Sequence, residues 1–332
     1  YPVLHLKGTP YEMGYQHGAL LKESVRENMG RILNVEAGKE LVKIGPVSMR
    51  PRDAIKSIVA IQDKFVPKKY HEEIAGLSAG SGLSLEEAVE AVQEGIEEGE
   101  DAVSGTGRDI RVGQLITAMR HTDRSLEIAK LAVDFRGRGA VGFDIAGPED
   151  GFPASNHRAA FDYLASAFFP VTVHAGEAAG LDSIRSALID GRALRLGHGV
   201  RIAEDLDVVQ QKGDEVLVTF GDLARWVRDR EIPLELSPSS NLQTGAIARW
   251  GTALEDHPFD LLYQLGFAVT VNVDNRTMSR TSLTRELALL AETFDYRLED
   301  LEAFQLNAAA GAFLSVEERE ELIELIGEGF SA

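Results

Sequence analysis

From residue 84 onward, apolar runs of strand length alternate with stretches that carry apolar residues at helical spacing. The strand-like runs end at Met119, Ala146, His174, Gly197, Leu236 and Asp274. Helical patterns over Ser125–Phe135, His157–Ala167, Asp222–Asp229 and Thr281–Phe294 separate most of them. Ser84-Leu85-Glu86-Glu87 reads as a capping box, with Ser84 as N-cap and Leu85, Ala88, Val89, Val92 and Ile96 forming the apolar face that follows. A second capping box, Ser315-Val316-Glu317-Glu318, opens the last helix. Repeated βα units with apolar strands predict a parallel sheet. Chain length favours a (β/α)8 TIM-type barrel over a doubly wound sheet, and no glycine-rich dinucleotide or phosphate-loop fingerprint argues otherwise.

Residues 1–83 break the pattern. Pro2–Leu6 could form one short strand, and Thr9-Pro10-Tyr11-Glu12 then opens a helix, with Thr9 as cap and Pro10 at the first helical position. Helical patterns follow near Glu23–Val35 and Arg52–Phe65, whereas Gly76-Leu77-Ser78-Ala79-Gly80-Ser81-Gly82 has loop composition. The expectation is a mostly helical N-terminal segment, 1–83, joined to a barrel, 84–332. About six strands fall in the second part and a barrel needs eight, so its N-terminal portion is expected to be atypical and incomplete.

Charge marks the same join. Residues 1–83 hold 12 Lys+Arg and 9 Asp+Glu, a net of +3, while the rest of the chain is at −22. The total of −19 argues against a nucleic-acid partner. No run approaches the roughly 18 apolar residues of a membrane span, and the start lacks a signal-peptide layout, so a cytoplasmic enzyme is expected. There is no cysteine. A thiolate zinc site or cysteine nucleophile is thereby excluded, and any metal must be held by imidazole and carboxylate.

The strand ends supply such groups. His174 of His174-Ala175-Gly176-Glu177 could give a ring nitrogen to zinc, and Asp274 a carboxylate oxygen. Glu177 could move a proton between water and substrate, and His198 of Gly197-His198-Gly199 could orient or deprotonate that water and stabilise a developing oxyanion. Taken singly, each has a plain alternative as a buried histidine or a capping carboxylate. Three acid/base fragments at three strand ends favour one hydrolytic site.

Those fragments lie in a longer series: Thr117-Ala118-Met119-Arg120-His121, Gly142-Phe143-Asp144-Ile145-Ala146-Gly147, Val173-His174-Ala175-Gly176-Glu177, Arg195-Leu196-Gly197-His198-Gly199-Val200-Arg201-Ile202, Pro233-Leu234-Glu235-Leu236-Ser237-Pro238-Ser239-Ser240-Asn241, Gln243-Thr244-Gly245, His257-Pro258-Phe259-Asp260 and Asp274-Asn275. In this order, residues from about 84 to 332 resemble the adenosine deaminase family, particularly a bacterial branch. The resemblance implies zinc-dependent deamination of adenosine, or 2'-deoxyadenosine, to the inosine product and ammonia. It makes His174 and Asp274 zinc ligands and Glu177 the proton donor to purine N1 as water attacks C6. His198 would assist that water. The Gly147 amide would meet purine N3, and Asn275, where the commoner pattern has aspartate, would donate its NH2 to N7. Val273 stands where threonine is usual. Glu149 matches an acidic position of the family, although a solvated loop carboxylate accounts for it as well. His157 reads as a helix-face residue and His257 as a capping or packing residue.

The resemblance breaks at the first strand. The family pattern there is His-x-His-Leu-Asp-Gly, and the nearest fragment is Val3-Leu4-His5-Leu6-Lys7-Gly8. His5 would then be a third zinc ligand, beside a valine in place of the other histidine. Against this, Gly8-Thr9-Pro10-Tyr11-Glu12-Met13-Gly14-Tyr15-Gln16-His17-Gly18 and the 72–84 segment are similar to penicillin acyltransferase-like autoproteolytic hydrolases, whose N-terminal cysteine this chain lacks. On that reading His5 lies in a foreign segment, the missing His-x-His motif is expected to impair or abolish the deamination, and the alternative function is an inactive barrel that binds a purine nucleoside.

Overall fold

The computed structural model describes residues 42–44, 47–49, 85–212 and 215–331. The chain divides into two compact units, 1–98 and 99–332. In the first, β1 (Val42–Ile44) and β2 (Val47–Met49) pair antiparallel, a short hairpin in a stretch where no strand was expected. Pro2–Leu6, the helical patterns of 9–65, the 76–82 loop and the Ser84 cap lie outside the described residues. Helix α1 (Leu85–Ser104) follows as the spacing predicts, although of the five positions of the predicted apolar face only Val89 is buried.

The second unit carries the six predicted strands: β3 (Gln114–Met119), β4 (Ala140–Ala146), β5 (Thr172–Ala175), β6 (Arg195–His198), β9 (Leu234–Leu236) and β10 (Val269–Val271). β3 pairs β4, and β5 pairs β6, then β9, then β10, all parallel. A parallel bridge between Phe143 and Val171, with the Phe143 N–H donating to the Pro170 carbonyl, joins the two groups. The strand order thus follows the sequence, as in a TIM-type barrel. The strand interior is closed by Ile145, Val173, Leu196, Leu234, Leu236 and Val269, none of which has accessible surface. Full burial of each such side chain contributes about 1.5–3 kcal/mol.

The connecting helices are α2 (Ser125–Asp134), α3 (Arg158–Ser166), α4 (Leu181–Ile189), α5 (Asp222–Asp229), α6 (Pro238–Thr244), α7 (Phe259–Gln264), α8 (Arg276–Ser279), α9 (Leu283–Phe294), α10 (Leu298–Ala310) and α11 (Val316–Ser331). The box before α11 forms as predicted: the Ser315 hydroxyl accepts from the Glu318 N–H, and Glu318 accepts from the Ser315 N–H. One connection was not anticipated. Between β6 and α5 the chain makes an antiparallel hairpin, β7 (Leu206–Lys212) and β8 (Glu215–Phe220). Its register shifts between Val208 and Gln210, and Val208 and Val209 are both exposed, which erases the period-two signal of a strand.

Candidate active site

The C-terminal ends of β4, β5, β6, β9 and β10 carry the polar residues that the sequence singled out. His174 sits within β5, in register with Gly197 of β6. A Cβ added at Gly197 would stand 3.0 Å from both the Cα and the Nδ1 of His174, so glycine there gives the imidazole its room. The Nδ1 of His174 lies 2.9 Å from one Asp144 oxygen and 3.1 Å from the other. Asp144, on β4, is buried. A histidine whose second nitrogen is held by a carboxylate is the usual arrangement of a metal ligand. Burial works against the charged form of His174, yet the charge and hydrogen bond of Asp144, with Glu235 and Asp274, raise its pKa to about 9. These surroundings favour a cation, whether imidazolium or metal.

His198 ends β6 and Asp274 follows β10, both with positive φ, at 62° and 48°. Non-glycine residues in this region carry backbone strain, and such strain concentrates at functional sites. Asp274 accepts from the Ser240 hydroxyl at 2.6 Å. His198 is buried. Its Nε2 is 3.5 Å from Glu177 Oε2 and its Nδ1 is 3.0 Å from the Asn241 side-chain nitrogen. Burial, with the nearby charge of His174, holds its pKa below the usual histidine value despite Glu177, Asp274 and Glu149. The rings of His174 and His198 meet edge to face, 5.2 Å apart.

Ligand atoms of Glu177, His198 and Asp274 lie within 4.8 Å of one another. The fold therefore gathers the predicted proton donor, the predicted water-assisting histidine and one predicted ligand. His174 is absent from that tight cluster and touches it through His198. Glu177 Oε1 is buried without a hydrogen-bond partner among the described residues, as expected of an acceptor that awaits a proton or a cation. The donor set of imidazole and carboxylate suits zinc. His5, with Val3 and Lys7, lies outside the described residues.

Glu149 is not solvated. It is 6% exposed and accepts four backbone N–H groups, from Gly176 at Oε1 and from Glu177, Ala178 and Ala179 at Oε2, at 2.5–3.0 Å. The loop that carries Glu177 is thus drawn around one carboxylate. The buried Arg120 donates to the carbonyls of His174, Ile145 and Phe152, tying the ends of β4 and β5 together. Burial lowers its pKa, against the opposing charges of Glu149 and Asp144. Glu286, on α9, has no accessible surface and accepts from the Ser239 N–H and the Thr281 hydroxyl, fixing the helix that presents Ser240 and Asn241. No local pattern in the sequence pointed to Glu286.

Gly147 follows β4 with φ of +97°, and a Cβ there would approach Met119 Cε to 3.0 Å, so the position requires glycine. Asn275 caps α8: its Oδ1 accepts from the Met278 N–H at 3.0 Å, which fixes the oxygen on the helix side of the amide. His157, read as a helix-face residue, and His257, read as a capping or packing residue, are both buried and hydrogen-bonded. His157 joins Ser125 Oγ and the Arg120 carbonyl.

The sequence model of the family described as Adenosine deaminase matches residues 48–328, beginning ahead of the charge shift near Ser84. An adenosine deaminase of Mycobacteroides abscessus is 46% identical over 271 residues, 82% of this chain and 70% of that protein. Adenosine deaminase 1 of Streptomyces coelicolor is 48% identical over 275 residues, 82% of this chain and 65% of that protein. The fold is similar to an adenine deaminase structure from Arthrobacter aurescens, with a TM-score of 0.64 and 17% identity, covering 100% of this chain and 99% of the other. It is also similar to a zinc-bound amidohydrolase from Burkholderia ambifaria, with a TM-score of 0.60 and 20% identity, over 77% of this chain and 65% of the other. With its parallel strands in sequence order and its acid/base residues gathered at their ends, this TIM-barrel chain belongs to the adenosine deaminase family.

Proposed function

We propose that this chain catalyses zinc-dependent hydrolytic deamination of adenosine, and of 2'-deoxyadenosine, to the inosine product and ammonia. The observation that carries the reading is the gathering of Glu177, His198 and Asp274 donor atoms within 4.8 Å, beside an Asp144-held His174. His174 and Asp274 are the proposed ligands. A zinc ion supplies Lewis acidity that makes water nucleophilic at neutral pH. Glu177 gives a proton to purine N1 while water adds at C6 and takes one back from the added oxygen; it then passes that proton to the amino group as the C6–N bond breaks, and recovers the last hydroxyl proton as the C6 carbonyl forms and ammonia leaves. The partnerless Oε1 of Glu177 suits this transfer, and the Glu149 clamp holds the loop through the backbone and so leaves that oxygen uncommitted. His198 faces the attacking oxygen. The Gly147 amide and the Asn275 NH2 are assigned to purine N3 and N7, and the orientation imposed on Asn275 by its cap supports the second assignment. His5 has no part in this reading.

The test is adenosine loss with stoichiometric ammonia release, measured beside metal content. The reading expects turnover with about one zinc per chain, and Glu177→Gln should keep the metal while losing at least ~100-fold in kcat. A folded, zinc-replete protein that binds adenosine without releasing ammonia would instead be a nucleoside-binding barrel.

A further inference from the structure

A hydrogen-bond chain runs behind the site and begins at a group that has no choice of role. The backbone N–H of Phe259 can only donate, and it meets His257 Nδ1 at 3.0 Å. His257 is 3% exposed, and burial brings its pKa down to about 3, so the ring is neutral with its one proton on Nε2. That N–H donates to Asn241 Oδ1 at 3.2 Å. The same oxygen accepts from the Ser237 N–H at 3.3 Å, a second obligatory donor. Two donors on one side fix which way the amide points, so Asn241 Nδ2 is the end that faces His198 Nδ1 at 3.0 Å. Asn241 itself has no accessible surface and no freedom to turn without stranding both donors.

We infer that Asn241 and His257 are positioning residues that set neutral His198 as the tautomer with its proton on Nε2. The inference rests on the proposed reaction only for its consequence. His198 then presents a donor N–H toward Glu177 and Asp274, and it serves the reaction by stabilising negative charge developing on the attacking oxygen. A ring with its lone pair on Nε2 would instead remove a proton from that oxygen. The assignment decides between the two roles that the sequence left open for His198.

The test reads the tautomer directly, in metal-free protein labelled with 15N in its histidines, at a pH where the rings are neutral. The His198 signals are identified by their loss in His198→Gln. The expected wild-type spectrum shows a protonated Nε2 and an unprotonated Nδ1. Asn241→Asp replaces the donor by a carboxylate that only accepts, and it should move the proton to Nδ1. Its kcat should fall by about 100-fold with KM changed less than about threefold. A wild-type ring protonated on Nδ1 overturns the inference, as does a folded Asn241→Asp protein with an unchanged tautomer. Should Asn241→Asp not fold, the wild-type spectrum decides alone. If the Nε2–H form is found in a protein that does not deaminate adenosine, the tautomer stands and the proposed reaction falls.

Discussion

Replacing Glu149 by glutamine removes one charge from a carboxylate that serves four backbone N–H groups. The better of the two amide orientations keeps the carbonyl toward Glu177, Ala178 and Ala179, and turns the NH2 against the Gly176 N–H. The stranded, buried N–H costs about 1–3 kcal/mol, and three charge-assisted bonds become neutral at about 1 kcal/mol each. The buried Arg120 guanidinium also loses an opposing charge. These contributions overlap, so the expected loss in unfolding free energy is about 3 kcal/mol, read from urea denaturation of the metal-free protein. The loop bearing Glu177 should loosen as well, with amide exchange at 176–179 faster and kcat/KM for adenosine at least ~30-fold lower. A loss below about 0.5 kcal/mol with unchanged exchange at these four amides would refute the clamp.

His257 makes stability depend on pH. Its folded pKa, about 3, lies below the ordinary 6.5, so the unfolded chain binds the extra proton. Its contribution is complete above 6.5 and declines as pH falls toward 3. By about pH 5 the loss should reach about 2 kcal/mol, and His257→Gln should flatten the slope of stability against pH by about one proton; an unchanged slope would count against neutral burial. Asp144→Asn should weaken zinc affinity by about 10–100-fold, measured by chelator competition, because the carboxylate behind His174 is lost. Gly197→Ala should displace the His174 ring and lower zinc affinity by at least ~10-fold, while the circular-dichroism spectrum stays that of wild type.

The six strands were legible because parallel strands buried on both faces read as apolar runs, and a polar residue at or just beyond the end stands out against them, although the last strand ends at Val271 rather than at Asp274. The same contrast exposed His174, Glu177, His198 and Asp274. What escaped was of another kind. Glu149, Glu286 and Asn241 matter through hydrogen bonds that reach segments tens of residues away, at 176–179, Ser239 and His198 respectively, and nothing in their own neighbourhoods signals that. Glu149 in particular sits beside Pro148 and Asp150 in what reads as a solvated loop, yet its carboxylate is buried against the turn after β5. The hairpin of β7 and β8 was hidden by its register shift and exposed valines. Charge located a change near Ser84, whereas the family match begins at residue 48. Similarity along the chain and net charge report different properties, and they need not turn at one residue.

The central claim is that His174 and Asp274 hold the metal while Glu177 and His198 remain available for chemistry. Anomalous diffraction at the zinc edge, on crystals grown with zinc, tests it most directly. The account predicts one strong peak bonded to His174 and Asp274, with Glu177 and His198 uncoordinated. A peak coordinated by Glu177, His198 and Asp274, or no peak among these residues at full zinc occupancy elsewhere, would contradict it.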